Sequence, residues 1–338
     1  MQNVAYINLK QLVSNAKEIK KHLKKDTKFC AVVKADGYGH GGVEVANAIY
    51  ALVDSYAVCL VEEGIALRLS GIDKEILVFS PIMEEDILLS LEYDLSLTVV
   101  SKKSLITLNK MAKKQKKVAK VHIKYDTGMN RQGVRSILEL KEMLNLLSQL
   151  KNVKLVGFYS HFACPNDKKE REKALSKFLL ANRLVKMYNN KVISHISASG
   201  GLLKGVQLDM VRIGILLYGY KPFNSQKIKV KPIMNIFAYT LGNFTAKKGE
   251  GVLYGNTKLK TKTNYFLIRY GYADGLDRIK AKRDLNNRCM DVSACKGKCK
   301  GKTYAVMTNA EILAKKYHTI SYEILTKATI RAKKIYLR

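Results

Sequence analysis

The stretch AVVKADGYGHG, residues 31–41, runs small and apolar residues straight into Lys34 and then into a glycine-rich turn. A strand that ends on an ammonium delivers a side chain at the place where a sheet presents its functional groups. Partial desolvation there disfavours the charged form, and a neutral lysine amine attacks carbonyls. Pyridoxal phosphate, held as a Schiff base, is the aldehyde that suits such a lysine. A lysine merely reaching solvent at a strand end is the other reading of this stretch. The following GYGHGG resembles a phosphate-cradling loop but has no G-K-[ST] to complete one.

Other segments carry polar chemistry at the ends of apolar runs. HIKYDTGMNRQG (122–133) presents Lys124, Asp126 and Arg131 around glycine turns, and YSHFAC presents His161. SHISASGG places Ser199 after one run, and MVRIGILLYG supplies Arg212 followed by the amides of Gly214 and Ile215. A hydroxyl and two backbone amides on neighbouring loops suit a phosphate group.

The elements that must position these groups are legible as alternation. Candidate strands lie at TKFCAVVK, SYAVCL, KEILVFS, LSLTVV, VAKVHIKY, VKLVGFYSH, KVISHIS and LDMVRIG, with amphipathic stretches such as SILELKEMLNLLSQL between them. Eight β-then-α units predict an N-terminal (β/α)8 TIM-like barrel, with a doubly wound open sheet as the competing layout. On the barrel, all of these groups follow strands at the C-terminal face, where barrel enzymes keep their active sites. After LLYGYKP the texture changes to short β-like runs between glycine turns: IMNIFAYTL, GVLYG and YFLIRYGYADG. We therefore expect a barrel over residues 1–225 and a mainly-β domain over 226–338, with VAYINL as an opening strand that could join the second domain.

Composition excludes several classes. The 338 residues are 47% hydrophobic, with no apolar run long enough for a membrane span or a signal-peptide core, so a cytoplasmic protein is expected. Six cysteines are too few for a disulfide scaffold, and the C-x5-C-x3-C series Cys289, Cys295, Cys299 has no ligand histidine nearby, so no metal site is expected. The net charge of +32 is spread over lysine-rich clusters along the whole chain, without an aromatic-interleaved patch. It predicts a solvated basic surface rather than specific nucleic-acid binding.

In order along the chain, AVVKADGYGHG, YDTGMNRQG, SHFA, MVRIGILLYG, VLYGN, GYADG and CMD resemble the motifs of bacterial alanine racemases. The resemblance implies a pyridoxal-phosphate enzyme that interconverts the two enantiomers of alanine and supplies D-alanine for peptidoglycan. It implies Lys34 as the cofactor-bound base for the D-enantiomer and Tyr254 as the base for the L-enantiomer, with His161 beside that tyrosine. Arg212 would face the pyridine nitrogen, where an always-charged guanidinium leaves the nitrogen unprotonated and limits side reactions. Arg131 and the Met290 amide would hold the substrate carboxylate, and Arg131 also the cofactor's phenolic oxygen. Tyr38, Ser199, Gly214 and Ile215 would hold the phosphate, and Tyr272 would line the substrate corridor. Lys124 matches a lysine that can be carbamylated to hold Arg131. The partners implied are a small amino-acid substrate and a second copy of the chain, in a homodimer with shared active sites.

Two enzyme-scaffold alternatives remain: a racemase of serine or another small amino acid, and a non-catalytic pyridoxal-phosphate-binding protein, against which Tyr254 and Met290 argue. The sequence also departs from the pattern. The C-terminal domain is abbreviated at GLDRIKAKRDLNNRCMD and VSACKGKCKGKTYAVMTNAEI, and Ile330 stands where a phosphate-contacting tyrosine is expected.

Overall fold

The structure, a computed structural model, describes residues 3–254, 258–275, 277–278 and 288–338. After an opening strand, β1 (Val4–Asn8), the chain builds eight parallel strands: β2 (Lys28–Val32), β3 (Ser55–Val58), β4 (Glu75–Pro81), β5 (Ser96–Val99), β6 (Ala119–Lys124), β7 (Val153–Tyr159), β8 (Ile193–His195) and β9 (Met210–Ile213). Their order is β8-β7-β6-β5-β4-β3-β2-β9. A parallel bridge between Ala198 and Arg212, with the Arg212 amide donating to the Ser197 carbonyl at 3.0 Å, joins the two ends into a barrel. Every residue of β3, β5 and β9 is buried, as expected of strands covered on both faces.

The eight strands are those marked by the apolar runs. Three of the helices between them, Lys102–Lys114, Ile137–Gln149 and Lys168–Tyr188, begin at capping residues the sequence supplies. Ser136 Oγ accepts from the Glu139 amide at 3.1 Å, and Asp167 accepts from the Glu170 amide at 3.0 Å. The second cap starts helix Lys168–Tyr188 at the charged run KKEREK, ahead of its apolar stripe.

The remaining strands are β10 (Met234–Ala246), β11 (Thr263–Ile268), β12 (Ser293–Lys296), β13 (Thr303–Met307) and β14 (Lys333–Leu337). They form a six-stranded sheet with β1, in the order β12-β11-β10-β1-β14, with β13 also on β10. β1 pairs antiparallel with β10 and parallel with β14, so it lies inside this sheet. A bulge between Thr240 and Gly242 divides β10: the first half pairs β1 and β13, the second pairs β11.

Over its described residues, 251–254, the expected run GVLYG is not a strand. Gly251 makes one bridge to Lys258, and Leu253 turns the chain at φ 56°; Gly255 and Asn256 of VLYGN lie outside the described residues. Much of GLDRIKAKRDLNNRCMD lies outside them as well. Two helices, Ala310–Lys316 and Ser321–Lys327, are too short to have shown periodicity in the sequence.

By contacts the chain divides into two units. One holds the chain up to Leu12, Asp36–Gly41 and Lys231–Arg338; the other holds Val13–Ala35 and Gly42–Val230. Among the described residues, no helix is long and apolar enough to cross a membrane, and no group of three or more His, Cys, Asp or Glu side chains is arranged to hold a metal ion.

Candidate active site

Lys34 follows β2 at the C-terminal end of the barrel. The Val33 amide still pairs with the Ala57 carbonyl of β3 at 2.9 Å, so the strand is guided to the lysine's doorstep. There the backbone turns left-handed: Ala35, Asp36, Gly37 and Tyr38 have φ of 51°, 52°, 60° and 54°. A left-handed turn costs about 1–2 kcal/mol per non-glycine residue, and such strain persists only where its surroundings enforce it.

On the barrel side, the Glu63 carboxylate accepts from the Ala35 amide at 2.5 Å and from the Cys59 amide at 2.7 Å. On the other side, His40 Nδ1 lies 2.9 Å from the carbonyls of both Gly37 and Tyr38. Burial lowers His40 to about 4, so it is neutral and Nδ1–H is the donor. Thr329 Oγ1 donates to the Gly39 carbonyl at 2.9 Å, and a Cβ on Gly39 would lie 2.4 Å from the Leu325 carbonyl oxygen. The glycine at residue 39 is needed for that approach.

Four cationic or imidazole groups gather behind Lys34 at the same end of the barrel. Lys124 ends β6 and is only 4% exposed. Burial, then the charges of Arg131 and Arg212, lower its amine to about 8, against a smaller opposing pull from Asp126 and with Lys34 adding to the fall. Arg131 is exposed and sits in a loop built on Asp126, whose Oδ1 accepts from the amides of Gly128, Met129 and Asn130 at 2.8, 2.9 and 3.2 Å. His161 follows β7; burial, then Arg212, Arg131, Lys124 and Lys34, lower it to about 3. It is therefore a neutral hydrogen-bonding group and not a cation.

Arg212, in β9, is 2% exposed and held on several sides. Its NH1 lies 2.6 Å from His195 Nδ1, and its NH2 lies 2.7 Å from the Ser160 carbonyl, 3.2 Å from the Ile196 carbonyl and 3.4 Å from His161 Nδ1. The Tyr159 ring lies 5.2 Å from its guanidinium carbon and stacks on His195 at 5.0 Å. Burial lowers Arg212 to about 10, which still leaves it charged at neutral pH.

Ser199 is buried, and the Leu216 amide approaches its Oγ at 3.5 Å, so the loops after β8 and β9 meet there. The second loop is tightened by the Leu217 amide on the Gly214 carbonyl at 2.8 Å and the Tyr220 amide on the Ile215 carbonyl at 3.1 Å.

The unit that holds the six-stranded sheet carries the other expected site residues. Tyr38 is buried, its ring 6.0 Å from that of Tyr322, and burial pushes its phenol up. Tyr272 and Met290 are brought together: the Tyr272 amide donates to the Cys289 carbonyl at 3.1 Å and the Ala273 amide to the Met290 carbonyl at 3.0 Å. A Cβ on Gly271 would lie 2.1 Å from the Met290 carbonyl oxygen, so GYADG needs its first glycine. Tyr254, 66% exposed, and Ile330 also present their side chains to solvent.

The sequence reading missed the groups behind Arg212: Tyr159, His195, His122 and Glu75. The signal was available, since an acid and two histidines inside strands expected to be buried demand partners.

The sequence model of the alanine racemase N-terminal domain matches residues 7–222. An alanine racemase from Clostridium novyi (strain NT) is 33% identical over 371 residues, covering 99% of this chain and 95% of that one. The solved structure of an alanine racemase from Clostridium difficile 630 matches with a TM-score of 0.94 at 29% identity, covering 100% of this chain and 96% of that one. The alanine racemase of Bacillus anthracis, solved with bound L-Ala-P, gives a TM-score of 0.93 at 28% identity, with 100% and 95% covered. With the barrel and its cationic mouth, these relatives define an isomerase of the amino-acid racemase class. The chain belongs to the alanine racemase family.

Proposed function

We propose that this racemase interconverts L- and D-alanine with pyridoxal phosphate, using Lys34 and Tyr254 as the two bases. The observation that carries this reading is the buried, charged Arg212 beside neutral His161, at the barrel end where Lys34 emerges. The donor set suits the cofactor: an amine for its aldehyde, a guanidinium for its ring nitrogen, and the buried Ser199 hydroxyl with the Gly214–Ile215 turn for its phosphate. Tyr38 completes the phosphate set in this reading. When bound, pyridoxal phosphate draws electrons from the substrate's Cα and acidifies its proton.

The chain's residues then divide the work. Racemisation needs a base on each side of a planar carbon, because one base returns a proton only to the face it came from. Lys34 removes or returns the proton of the D-enantiomer, and Tyr254 that of the L-enantiomer. His161 accepts from Arg212 at Nδ1, so its one proton is on Nε2, where it can donate to a tyrosine oxygen and favour the anion. Arg212 donates without giving up its proton, so a pyridine nitrogen facing it stays unprotonated.

Arg131, with the Met290 amide, takes the substrate carboxylate, and Arg131 also takes the cofactor's phenolic oxygen. Tyr272 narrows the approach. Lys124, its amine lowered to about 8 so that a fraction is neutral at physiological pH, adds CO2 through that fraction: the nitrogen lone pair forms the N–C bond, a proton leaves to solvent, and the carbamate holds Arg131.

Tyr254, Tyr272 and Met290 are exposed within a single chain, as suits residues that complete the site of a second copy in a homodimer. None of the six cysteines is in a disulfide, which suits a cytoplasmic enzyme supplying D-alanine for peptidoglycan. A chiral amino-acid assay on the cofactor-loaded protein tests the reading. Alanine should interconvert in both directions, and a protein that racemises serine but not alanine would refute the substrate assignment.

A further inference from the structure

A line of hydrogen bonds leaves Arg212 and crosses the barrel interior. Arg212 NH1 lies 2.6 Å from His195 Nδ1, His195 Nε2 lies 3.0 Å from His122 Nδ1, and His122 Nε2 lies 2.9 Å from Glu75 Oε1. A guanidinium only donates, so His195 Nδ1 accepts and the proton of the neutral ring sits on Nε2. That N–H donates to His122 Nδ1, which puts the His122 proton on Nε2, facing Glu75. The three bonds thus run in one direction, Arg212 to His195 to His122 to carboxylate.

The line is built rather than incidental. Both imidazoles are fully buried. Gly157 of β7 lies opposite His122 of β6, where the register shifts, and a Cβ there would lie 1.9 Å from His122 Nδ1. Any side chain at residue 157 would displace the ring. Glu75 opens β4, at the N-terminal end of the barrel, and Ser96 Oγ also donates to its Oε1 at 3.0 Å. Glu75 lines a cavity of about 370 Å³ together with Arg68, Lys120, Lys154 and Lys191. Burial alone would raise its carboxyl, but the hydrogen bond from His122, with help from Ser96 and Lys28, holds it below the usual carboxylate range. The line therefore ends on a carboxylate at neutral pH.

We propose that Glu75 is a positioning residue for Arg212: through His122 and His195 its carboxylate fixes the proton polarity of the line and holds the guanidinium in its charged, donating orientation. This rests on the reading of Arg212 as the residue that faces the cofactor. Without an acceptor at Glu75 the outermost N–H is buried and unpaired, and either ring can invert its tautomer. An inverted His195 would present N–H to N–H at Arg212, and the guanidinium would have to turn away.

The test uses the full-length protein as the wild type, Glu75→Leu and Glu75→Gln, each by histidine ¹⁵N NMR with and without pyridoxal phosphate, and by alanine racemisation with the cofactor. The wild type should show His122 and His195 as Nε2–H tautomers. Glu75→Leu should lose that signature and lower kcat by about tenfold to a hundredfold, the weight of a hydrogen bond to a charged group, with KM for alanine nearly unchanged. Glu75→Gln offers a carbonyl oxygen in the same place and should keep both tautomers and most of kcat.

An Nδ1–H tautomer for His195 in the wild type overturns the proposal. So does a Glu75→Leu protein with unchanged tautomers and kcat, or a Glu75→Gln protein that loses the signature as fully as Glu75→Leu. If Glu75→Leu does not fold, the wild type and Glu75→Gln still decide between these outcomes. A wild type that fails to racemise alanine, but whose tautomers answer to Glu75, refutes the functional reading and leaves the line standing.

Discussion

The two sets of site residues live in opposite environments. In the barrel, Lys124 and Arg212 are buried and His161 is half-buried beside Arg212, and that setting fixes their chemistry: Lys124 near 8, His161 near 3, Arg212 a cation with its donors committed. In the unit around the six-stranded sheet, Tyr254, Tyr272 and Met290 are exposed, and only their backbone placement is determined within the chain. One region makes its electrostatics itself. The other presents its side chains to solvent, the arrangement that the proposed shared site needs.

The largest expected effect tests the barrel side. Lys34→Ala should remove racemisation in both directions by at least about 10³-fold, the scale of a lost acid–base group, and leave no cofactor reducible onto the protein by borohydride. Retained borohydride-fixed cofactor would move the site off Lys34.

The exposed side is tested next. Tyr254→Phe should stop Cα proton exchange from L-alanine by about 10²–10⁴-fold while exchange from D-alanine through Lys34 survives. Equal loss for both enantiomers in a folded protein would make the tyrosine structural. Mixing inactive Lys34→Ala and Tyr254→Phe chains then sharpens the comparison directly. Hybrid dimers should recover part of the wild-type rate, and no recovery after verified subunit exchange would erase the contrast drawn above.

Lys124 gives a smaller, pH-dependent effect. Its folded pKa, about 8, lies below the ordinary lysine value of 10.5, so the folded protein binds fewer protons in that window. Stability of the unmodified protein should therefore rise as pH climbs from about 8 toward 10.5, and carry the cost of the buried charge below pH 8. In CO2-free buffer at neutral pH, Lys124→Met should melt higher than the wild type, by on the order of 2 °C. Mass spectrometry under CO2 should find the carbamate above pH 8 and lose it on acidification.

The smallest effect is expected at Ile330, which is exposed and cannot donate a hydrogen bond. Ile330→Tyr should slow cofactor loss and raise the alanine-to-serine ratio of kcat/KM, each by up to about tenfold, the value of one added hydrogen bond. If neither changes, residue 330 does not stand where the family's tyrosine does.

The barrel strands were legible because parallel strands covered on both faces must read as continuous apolar runs, and SYAVCL or LSLTVV could be little else. Lys34, Arg131 and His161 were placed by the runs they follow, whereas Arg212, expected with the loop after the last run, lies inside that run in β9. The left-handed turn was not: glycine advertises positive φ, but Ala35, Asp36 and Tyr38 do not, and carbonyl bonds from His40 and Thr329 hold the turn from outside it. The line from Arg212 to Glu75 was invisible for another reason. Its members sit in four different strands, and only closure of the sheet at Ala198 and Arg212 makes them neighbours.

The central place of β1 in the six-stranded sheet has a consequence for synthesis. Val4–Asn8 leaves the ribosome more than two hundred residues before its partners β10 and β14, at Met234–Ala246 and Lys333–Leu337. At about 5–20 residues per second, this apolar strand waits on the order of ten seconds or more with both hydrogen-bonding edges open, while the barrel strands pair as they emerge. During that wait VAYIN is a template for pairing with nascent neighbours, and holdase chaperones that cover extended apolar segments have their natural target in this strand.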